Sequence, residues 1–230
     1  PEKVPMDALL GETMGGWIRQ VHERQGVRFS LGRTVREFRG ARRVEQVVLT
    51  DGSVVEADRV VVGVGIEPAI EYLRGTTLVR EGAVPVDKRL RTREQGIYAA
   101  GDLAAVPVVD GRSLRIEHWV EAERQGQQAA RSMLGMRHTC GSTPFFWSEQ
   151  HGVTLKCVGL PGTQYFQVMR GVRDENSFII GYFDGSLLKA AVSVGRDRDL
   201  IAAGELVRRS IPISPQRFRD LGTELSEWVL

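Results

Sequence analysis

The chain has 230 residues, 42% hydrophobic and 26% charged, with 31 Lys+Arg against 29 Asp+Glu, the make-up of one large or two modest globular domains. No apolar run approaches the roughly 20 residues of a membrane-spanning helix. Two cysteines, Cys140 and Cys157, supply neither a disulfide framework nor a CxxC pair for zinc or dithiol chemistry, and four histidines are scattered without ligand spacing.

The sequence opens on Pro1, a few residues before a helix, with no basic run leading into an apolar core. It reads as a piece of a longer, cytoplasmic protein. The basic residues are arginines apart from Lys3, Lys88, Lys156 and Lys189, and no Lys/Arg stripe is interleaved with aromatics, so nucleic acid is not expected. Arg33, Arg36, Arg39, Arg42 and Arg43 form the densest basic cluster. It reads either as a solvated face or as a docking surface for an acidic protein.

Met6 to Gln25 carries Leu9, Leu10, Met14, Trp17, Ile18 and Val21 near helical spacing and ends before Gly26, which predicts an amphipathic helix with Gly15 and Gly16 as its weak points. Short strands are expected at Val27–Leu31, Thr34–Phe38 and Val44–Thr50, with Asp51-Gly52 turning a hairpin into Val54–Ala57. The β-branched run from Asp58 through Val60-Val61-Val62 to Gly65 predicts a strand buried on both faces of a parallel sheet. Glu81–Asp87 predicts an irregular edge strand, because Pro85 bars a central position. Gly96–Asp102 predicts a short strand stopping at Gly-Asp, followed by a loop to about Arg115 and a helix from Trp119 to Met133.

Arg137 to Pro144 is polar and rich in breakers, the best domain boundary. Beyond it, Thr154–Gly159, Gln164–Gly171, Phe178–Phe183 and Leu187–Val194 predict an antiparallel meander, closed by a helix over Asp197–Arg209 and a shorter one from Ser214-Pro215. Strands followed by helices suggest a small α+β domain. Cys157, inside a predicted strand, reads as a small buried hydrophobe.

In open α/β sheets, ligands sit beyond the carboxyl ends of strands. Tyr98-Ala99-Ala100-Gly101-Asp102 offers a glycine for close backbone approach and a carboxylate able to accept hydrogen bonds from sugar or ribityl hydroxyls. By itself the same aspartate is equally well read as a turn cap. In context, the string Gly96-Ile97-Tyr98-Ala99-Ala100-Gly101-Asp102 follows Val86-Asp87 and Leu90-Arg91-Thr92 and precedes an Ala/Gly-rich helix. It resembles the second flavin-binding motif of the FAD-dependent pyridine-nucleotide oxidoreductases. Val60 to Pro68 is similar to the motif where that family's chain returns from the NAD(P)H domain to the FAD domain. Arg115-Ile116-Glu117-His118-Trp119, with Ala122, Gln125-Gly126 and Ala129-Ala130, resembles the stretch beside the isoalloxazine in ferredoxin, rubredoxin and putidaredoxin reductases. Pro144 to Gln150, Gly159, Arg170-Gly171 and Gly181-Tyr182 resemble those reductases' small C-terminal domain.

The resemblance implies an α/β fold, an incomplete FAD/NAD(P)-binding three-layer arrangement, plus a small α+β domain with an antiparallel sheet. It assigns residues 1–57 to the end of an NAD(P)H-binding domain, 58–138 to the latter part of an FAD-binding domain, and 139–230 to the reductase C-terminal domain. The implied cofactors are FAD and NAD(P)H. The implied site residues are Gly65, Pro68, Gly101, Asp102, Glu117, His118, Trp119 and Trp147. Asp102 holds the ribityl chain, Glu117 and Gln125-Gly126 act through the helix dipole and close packing, and Glu67 and Pro68 shape the turn near the nicotinamide. Trp119 and Trp147 are read either as shields of the flavin or as core tryptophans, and His118 either as a backbone contact to the flavin or as a surface histidine. No catalytic residue and no metal ligand is assigned.

The implied activity is NAD(P)H:ferredoxin or rubredoxin reduction, with a small acidic iron–sulfur protein as electron acceptor. Alternatives are an NADH oxidase or nitrite-reductase-like flavoprotein, or an apoptosis-inducing-factor-like interaction protein. Neither GxGxxG loop of the family occurs in these 230 residues, so little flavin is expected to stay on this chain alone.

Overall fold

Residues 2–107, 113–136 and 143–229 are described by the computed structural model. They divide into one unit that joins the residues up to Val64 with those from Trp147 onward, and a second unit over Gly65–Phe146.

In the first unit, helix α1 (Asp7–Glu23) buries Leu10, Met14, Trp17, Ile18 and Val21 along one face, as the apolar spacing predicts. Its irregularity falls on Gly11 at φ +75°, not on Gly15 or Gly16. A β-carbon at Gly11 would meet the Gln167 side chain at 2.4 Å. The expected strand at Val27–Leu31 does not form. The Val27 N–H is taken by the His22 carbonyl (3.2 Å), so the residues after α1 complete its C-terminal turn instead of starting a ladder. Strands β1 (Val35–Arg39), β2 (Gln46–Leu49) and β3 (Val54–Glu56) make an antiparallel sheet in that order. The Asp51 carboxylate closes the β2–β3 hairpin by accepting from the Ser53 N–H (3.0 Å) and hydroxyl (2.6 Å).

The buried parallel strand expected from Asp58 to Gly65 is overturned. No ladder includes these residues, and Val61, Val62 and Val64 are 96%, 64% and 90% exposed. Their β-branched side chains have no neighbouring strand to pack with among the described residues.

The C-terminal part of this unit is a five-stranded sheet of β7 (Phe145–Gln150), β8 (Val153–Gly159), β9 (Phe166–Val172), β10 (Ser177–Asp184) and β11 (Leu187–Val194), in the order β7-β8-β11-β10-β9. It is antiparallel at β8–β11, β11–β10 and β10–β9, but not the simple meander expected, because the chain crosses from β8 to the far edge before returning. Strand β7, which carries Trp147, is an additional element. Interior strand β10 is apolar on both faces, with Phe178, Ile179, Ile180, Tyr182 and Phe183 at most 2% exposed. Helix α3 (Asp197–Arg209) packs on β11 and β8, and α4 (Pro215–Arg219), capped by the Ser214 hydroxyl, closes the other end. From α1, Trp17 donates to Asn176 (3.1 Å), while the Leu10 carbonyl accepts from the Tyr182 hydroxyl (2.7 Å). Cys157 is fully buried, and desolvation pushes its thiol well above the ordinary range.

The second unit contains β4 (Val84–Pro85), parallel to β5 (Ala104–Pro107), which pairs antiparallel with β6 (Ser113–Leu114). Pro85 does stand on an edge strand. The strand expected over Gly96–Asp102 is replaced by a single bridge, Arg91 with Tyr98, and a hydrogen bond from the Ala99 N–H to the Leu90 carbonyl (3.1 Å). The ladder begins later, at β5, within the expected loop. Gly101 at φ +83° turns the chain, and its carbonyl accepts from the Ala104 N–H (2.8 Å). Helix α2 (Trp119–Met133) has the predicted bounds. The core joins Val86, Leu90, Ala104, Val106 and Ala129, with Tyr98, Ala99, Ala100 and Ile116 against it. Of the expected boundary, residues 137–142, with Cys140, lie outside the described residues.

Candidate functional site

The Gly101-Asp102 turn is held between two side chains. On one side the Gly101 N–H donates to Gln125 Oε1 (2.9 Å), reaching the second turn of α2. Gly101 is also packed closely there, since a β-carbon at that position would lie 3.6 Å from the Ala122 methyl. On the other side Arg115 Nη1 donates to the Asp102 carbonyl (3.2 Å), while its Nη2 pairs with Glu117 at 2.9 Å. The Asp102 carboxylate is half-buried, and no hydrogen bond or ion pair reaches it from the described residues. The main chain of the turn is therefore fixed through Gln125 and Arg115.

The start of α2 sits beside this turn. His118 is the N-cap, its Nδ1 accepting from the Val120 N–H (3.3 Å), which satisfies one of the amides that a helix start leaves open. That role takes the His118 side chain into the helix cap. Trp119, the first helical residue, is 64% exposed and stacks on the His118 ring, centroids 6.1 Å apart. The face that α2 buries is polar, with Glu121, Gln125, Gln128 and Ser132 at most 5% exposed. Of these, Glu121 Oε2, Gln125 Nε2 and Ser132 Oγ are buried without a hydrogen-bond partner. Buried polar atoms are nearly always hydrogen-bonded, and these three have no such partner among the described residues.

The structure thus gathers Gly101, Asp102, Glu117, His118 and Trp119 around Arg115 and Gln125. It does not gather the rest. Gly65 (φ +100°) and Pro68 stand in irregular chain before a short 3-10 turn at Glu71–Leu73, with no hydrogen bond to this cluster among the described residues. Trp147 lies on β7 in the other unit and is 41% exposed. Arg115 was absent from the expected site. Its signal was its position two residues before Glu117, a spacing that lets one guanidinium serve both a neighbour and the turn.

A hollow of about 540 Å³ opens in the same unit, lined by Val86, Asp87, Arg91, Thr92, Glu94 and Tyr98 among others. Its charges are already matched. Arg91 pairs with Asp87 at 2.7 Å, and the Asp87 carboxylate also accepts from the Arg89 and Arg91 N–H groups. Burial pushes Asp87 upward, but Arg91 and these N–H groups outweigh it and hold the acid below its ordinary range. The basic cluster on β1 is likewise partly neutralised. Arg33 pairs with Asp51 (2.9 Å), and Arg36 and Arg39 share Glu37, whose carboxyl is lowered chiefly by its hydrogen bond from Arg39.

Comparison with known proteins places this arrangement. A model of the pyridine nucleotide-disulphide oxidoreductases matches residues 3–126, and one of the reductase C-terminal domain matches residues 145–229. The chain belongs to the pyridine nucleotide-disulphide oxidoreductase family. It is 34% identical to rhodocoxin reductase of Rhodococcus erythropolis, over 96% of the chain and 52% of the relative. It is 33% identical to the anthranilate 1,2-dioxygenase system ferredoxin–NAD(+) reductase component of Burkholderia cepacia, over 94% and 53%. It is 31% identical to human apoptosis-inducing factor 3, over 90% and 36%.

Among solved structures, the chain superposes on a ferredoxin reductase from Rhodopseudomonas palustris with a TM-score of 0.93 at 28% identity, covering 99% of the chain and 57% of that protein. The covalent putidaredoxin reductase–putidaredoxin complex follows at 0.88 and 25%, covering 94% and 53%. The chain spans about half the length of these relatives. The expected fold class, α/β with an antiparallel C-terminal domain, holds. No helix among the described residues is long and apolar enough to cross a membrane.

Proposed function

We propose that this chain forms part of an FAD-dependent NAD(P)H:ferredoxin reductase, and that the Gly101-Asp102 turn is where it holds the flavin. The observation that carries this reading is the divided turn, with its backbone clamped by Gln125 and Arg115 and its Asp102 carboxylate reached by no hydrogen bond or ion pair from the described residues. An ionised carboxylate only accepts hydrogen bonds, and several of them, which suits a ribityl chain of adjacent hydroxyls. When bound, FAD supplies the redox chemistry, taking hydride from NAD(P)H and releasing electrons singly.

The residues of this chain bind, orient and shield. Asp102 accepts from the ribityl hydroxyls, Glu117 fixes Arg115 under the turn, and His118 keeps the first turn of α2 wound so that its N–H dipoles face the ring. Trp119, exposed at that helix start, covers the ring against water. Glu67 and Pro68 shape the turn near the nicotinamide, with Gly65 leading into it. Residues 1–57, 58–138 and 139–230 are read as the NAD(P)H, FAD and reductase C-terminal portions.

The acceptor is read as a small acidic iron–sulfur protein, ferredoxin or rubredoxin, in the cytoplasm. Support comes from relatives that are named as ferredoxin reductase components of dioxygenase systems and from the neighbour solved with putidaredoxin. Arg42 and Arg43, beyond the Arg36–Glu37–Arg39 group, extend the positive surface that such a partner requires.

Reduction of the intact flavoprotein by NADH and by NADPH, followed through the flavin's visible absorbance and then challenged with ferredoxin or oxygen, tests this reading. Reoxidation by ferredoxin faster than by oxygen supports it. Reoxidation by oxygen alone favours the oxidase alternative. Asp102→Ala is expected to weaken FAD binding about tenfold or more, the loss of one or two hydrogen bonds to a charged group. Unchanged FAD affinity in that variant removes Asp102 from the site.

A further inference from the structure

The histidines are scattered in sequence, yet the fold brings two of them together. His22 lies in the last turn of α1 and His151 at the tip of the β7–β8 hairpin, 129 residues apart. His151 Nε2 stands 3.2 Å from His22 Nδ1, with the rings nearly perpendicular at 80° and their centroids 4.7 Å apart. The Phe29 ring sits edge-on to His22, with centroids 6.0 Å apart. Both histidines belong to the same unit.

Two further features show that the pair is built rather than incidental. His151 and Gly152 form the two-residue hairpin loop, at φ +51° and +76°. Such loops take Asn-Gly or Asp-Gly by preference, and the positive-φ turn holds the His151 backbone in one conformation at the hairpin tip. The nearby charges are also settled elsewhere. Glu23 pairs with Arg19 at 2.7 Å, and Arg173 donates to Gln20 at 2.6 Å, so neither competes for the imidazoles.

The separation of the two nitrogens has chemical meaning. Two imidazole nitrogens bound to one tetrahedral zinc at 2.0–2.1 Å lie about 3.3 Å apart. We infer that His22 and His151 form a two-histidine site for a borderline divalent cation of the zinc, nickel or copper class, which ties the end of α1 to the β7–β8 hairpin. Imidazole is a good ligand for these metals. Without metal, one ring N–H is directed at the other nitrogen. With metal, that ring shifts to its other tautomer, so both facing nitrogens present lone pairs and both protons sit on the far nitrogens. No group of three or more His, Cys, Asp or Glu side chains able to hold a metal converges among the described residues, so water completes the coordination and the site is open.

Titration of this chain with zinc sulfate, followed by calorimetry and by the ring signals of the four histidines in NMR, tests the inference. One zinc per chain is expected, with the His22 and His151 signals moving together. His22→Ala and His151→Asn are each expected to weaken binding about tenfold or more, in the range for losing one metal-orienting group. Asn suits the positive-φ turn, so His151→Asn keeps the hairpin while removing the ligand. Zinc is expected to raise the melting temperature of the unmodified chain and leave that of His151→Asn unchanged. Binding weaker than about 1 mM, or an affinity unaltered in both variants, overturns the site.

Discussion

Two apolar, β-branched stretches of this chain meet opposite fates. Ile179 and Ile180 in β10 are at most 1% exposed, on a strand paired with β9 on one side and β11 on the other. Val61, Val62 and Val64 are between 64% and 96% exposed, in a segment that joins no ladder. Composition does not separate them. What differs is that β9, β10 and β11 follow one another in the chain and pair as neighbours in one sheet, while the valine run has no strand beside it among the described residues. A β-propensity is realised only as packing against neighbours, so it acts here as a conditional property.

The closed region also has a latch that the open one lacks. Arg170, 2% exposed on β9, pairs with Asp199 (3.2 Å) and donates to the carbonyls of Phe218, Asp220 and Thr223. Arg196 joins the same carboxylate. One guanidinium thus fastens the chain after α4 to the sheet and to α3.

The sharpest way to break the contrast is at that latch. Arg170→Met leaves Asp199 buried with one partner fewer and three carbonyls without their donor, and is expected to cost about 3–5 kcal/mol in urea unfolding. Next comes Gly181→Ala in β10. The added methyl would lie 2.7 Å from the Phe183 ring and 2.8 Å from the Phe218 ring, two rings already packed edge to face at 5.2 Å. An overpacking loss of about 1–3 kcal/mol is expected, read as a lower melting temperature.

Asp87→Asn in the second unit should act more weakly and with a defined pH dependence. The Asp87 carboxyl is held below its ordinary 3.8 in the folded chain, so its stabilisation is complete above that value and is lost as pH falls through the lowered one. The difference between Asp87→Asn and the parent is expected to be about 0–1 kcal/mol at pH 7, as for other solvent-screened pairs, and to vanish in acid unfolding. Smallest of all, Val61→Lys should change the stability of this chain by no more than about 0.5 kcal/mol. A large loss there would show that the valine run is buried in solution.

The bounds of α2 and α3, the β2–β3 hairpin and the Ser214-Pro215 helix start were legible because local signals set them: caps, a turn aspartate, helical spacing. The same holds for Gly101-Asp102 and the Glu117-His118-Trp119 stretch, which a contiguous motif marks. Arg115 and Gln125 as supports of the turn were not legible in that way, since each acts through a contact 13 or 24 residues distant.

By itself, then, the sequence determined which segments wind into helices, where the chain turns and which short motif carries the acid. Those features depend on interactions within a few residues. Only the tertiary structure decided that α1 lies on the C-terminal sheet, that β8 pairs with β11 instead of β9, that the valine run stays open, and that His22 meets His151. Strand partnership and side-chain convergence depend on which distant segment arrives alongside, and a local pattern of residue types carries no record of that.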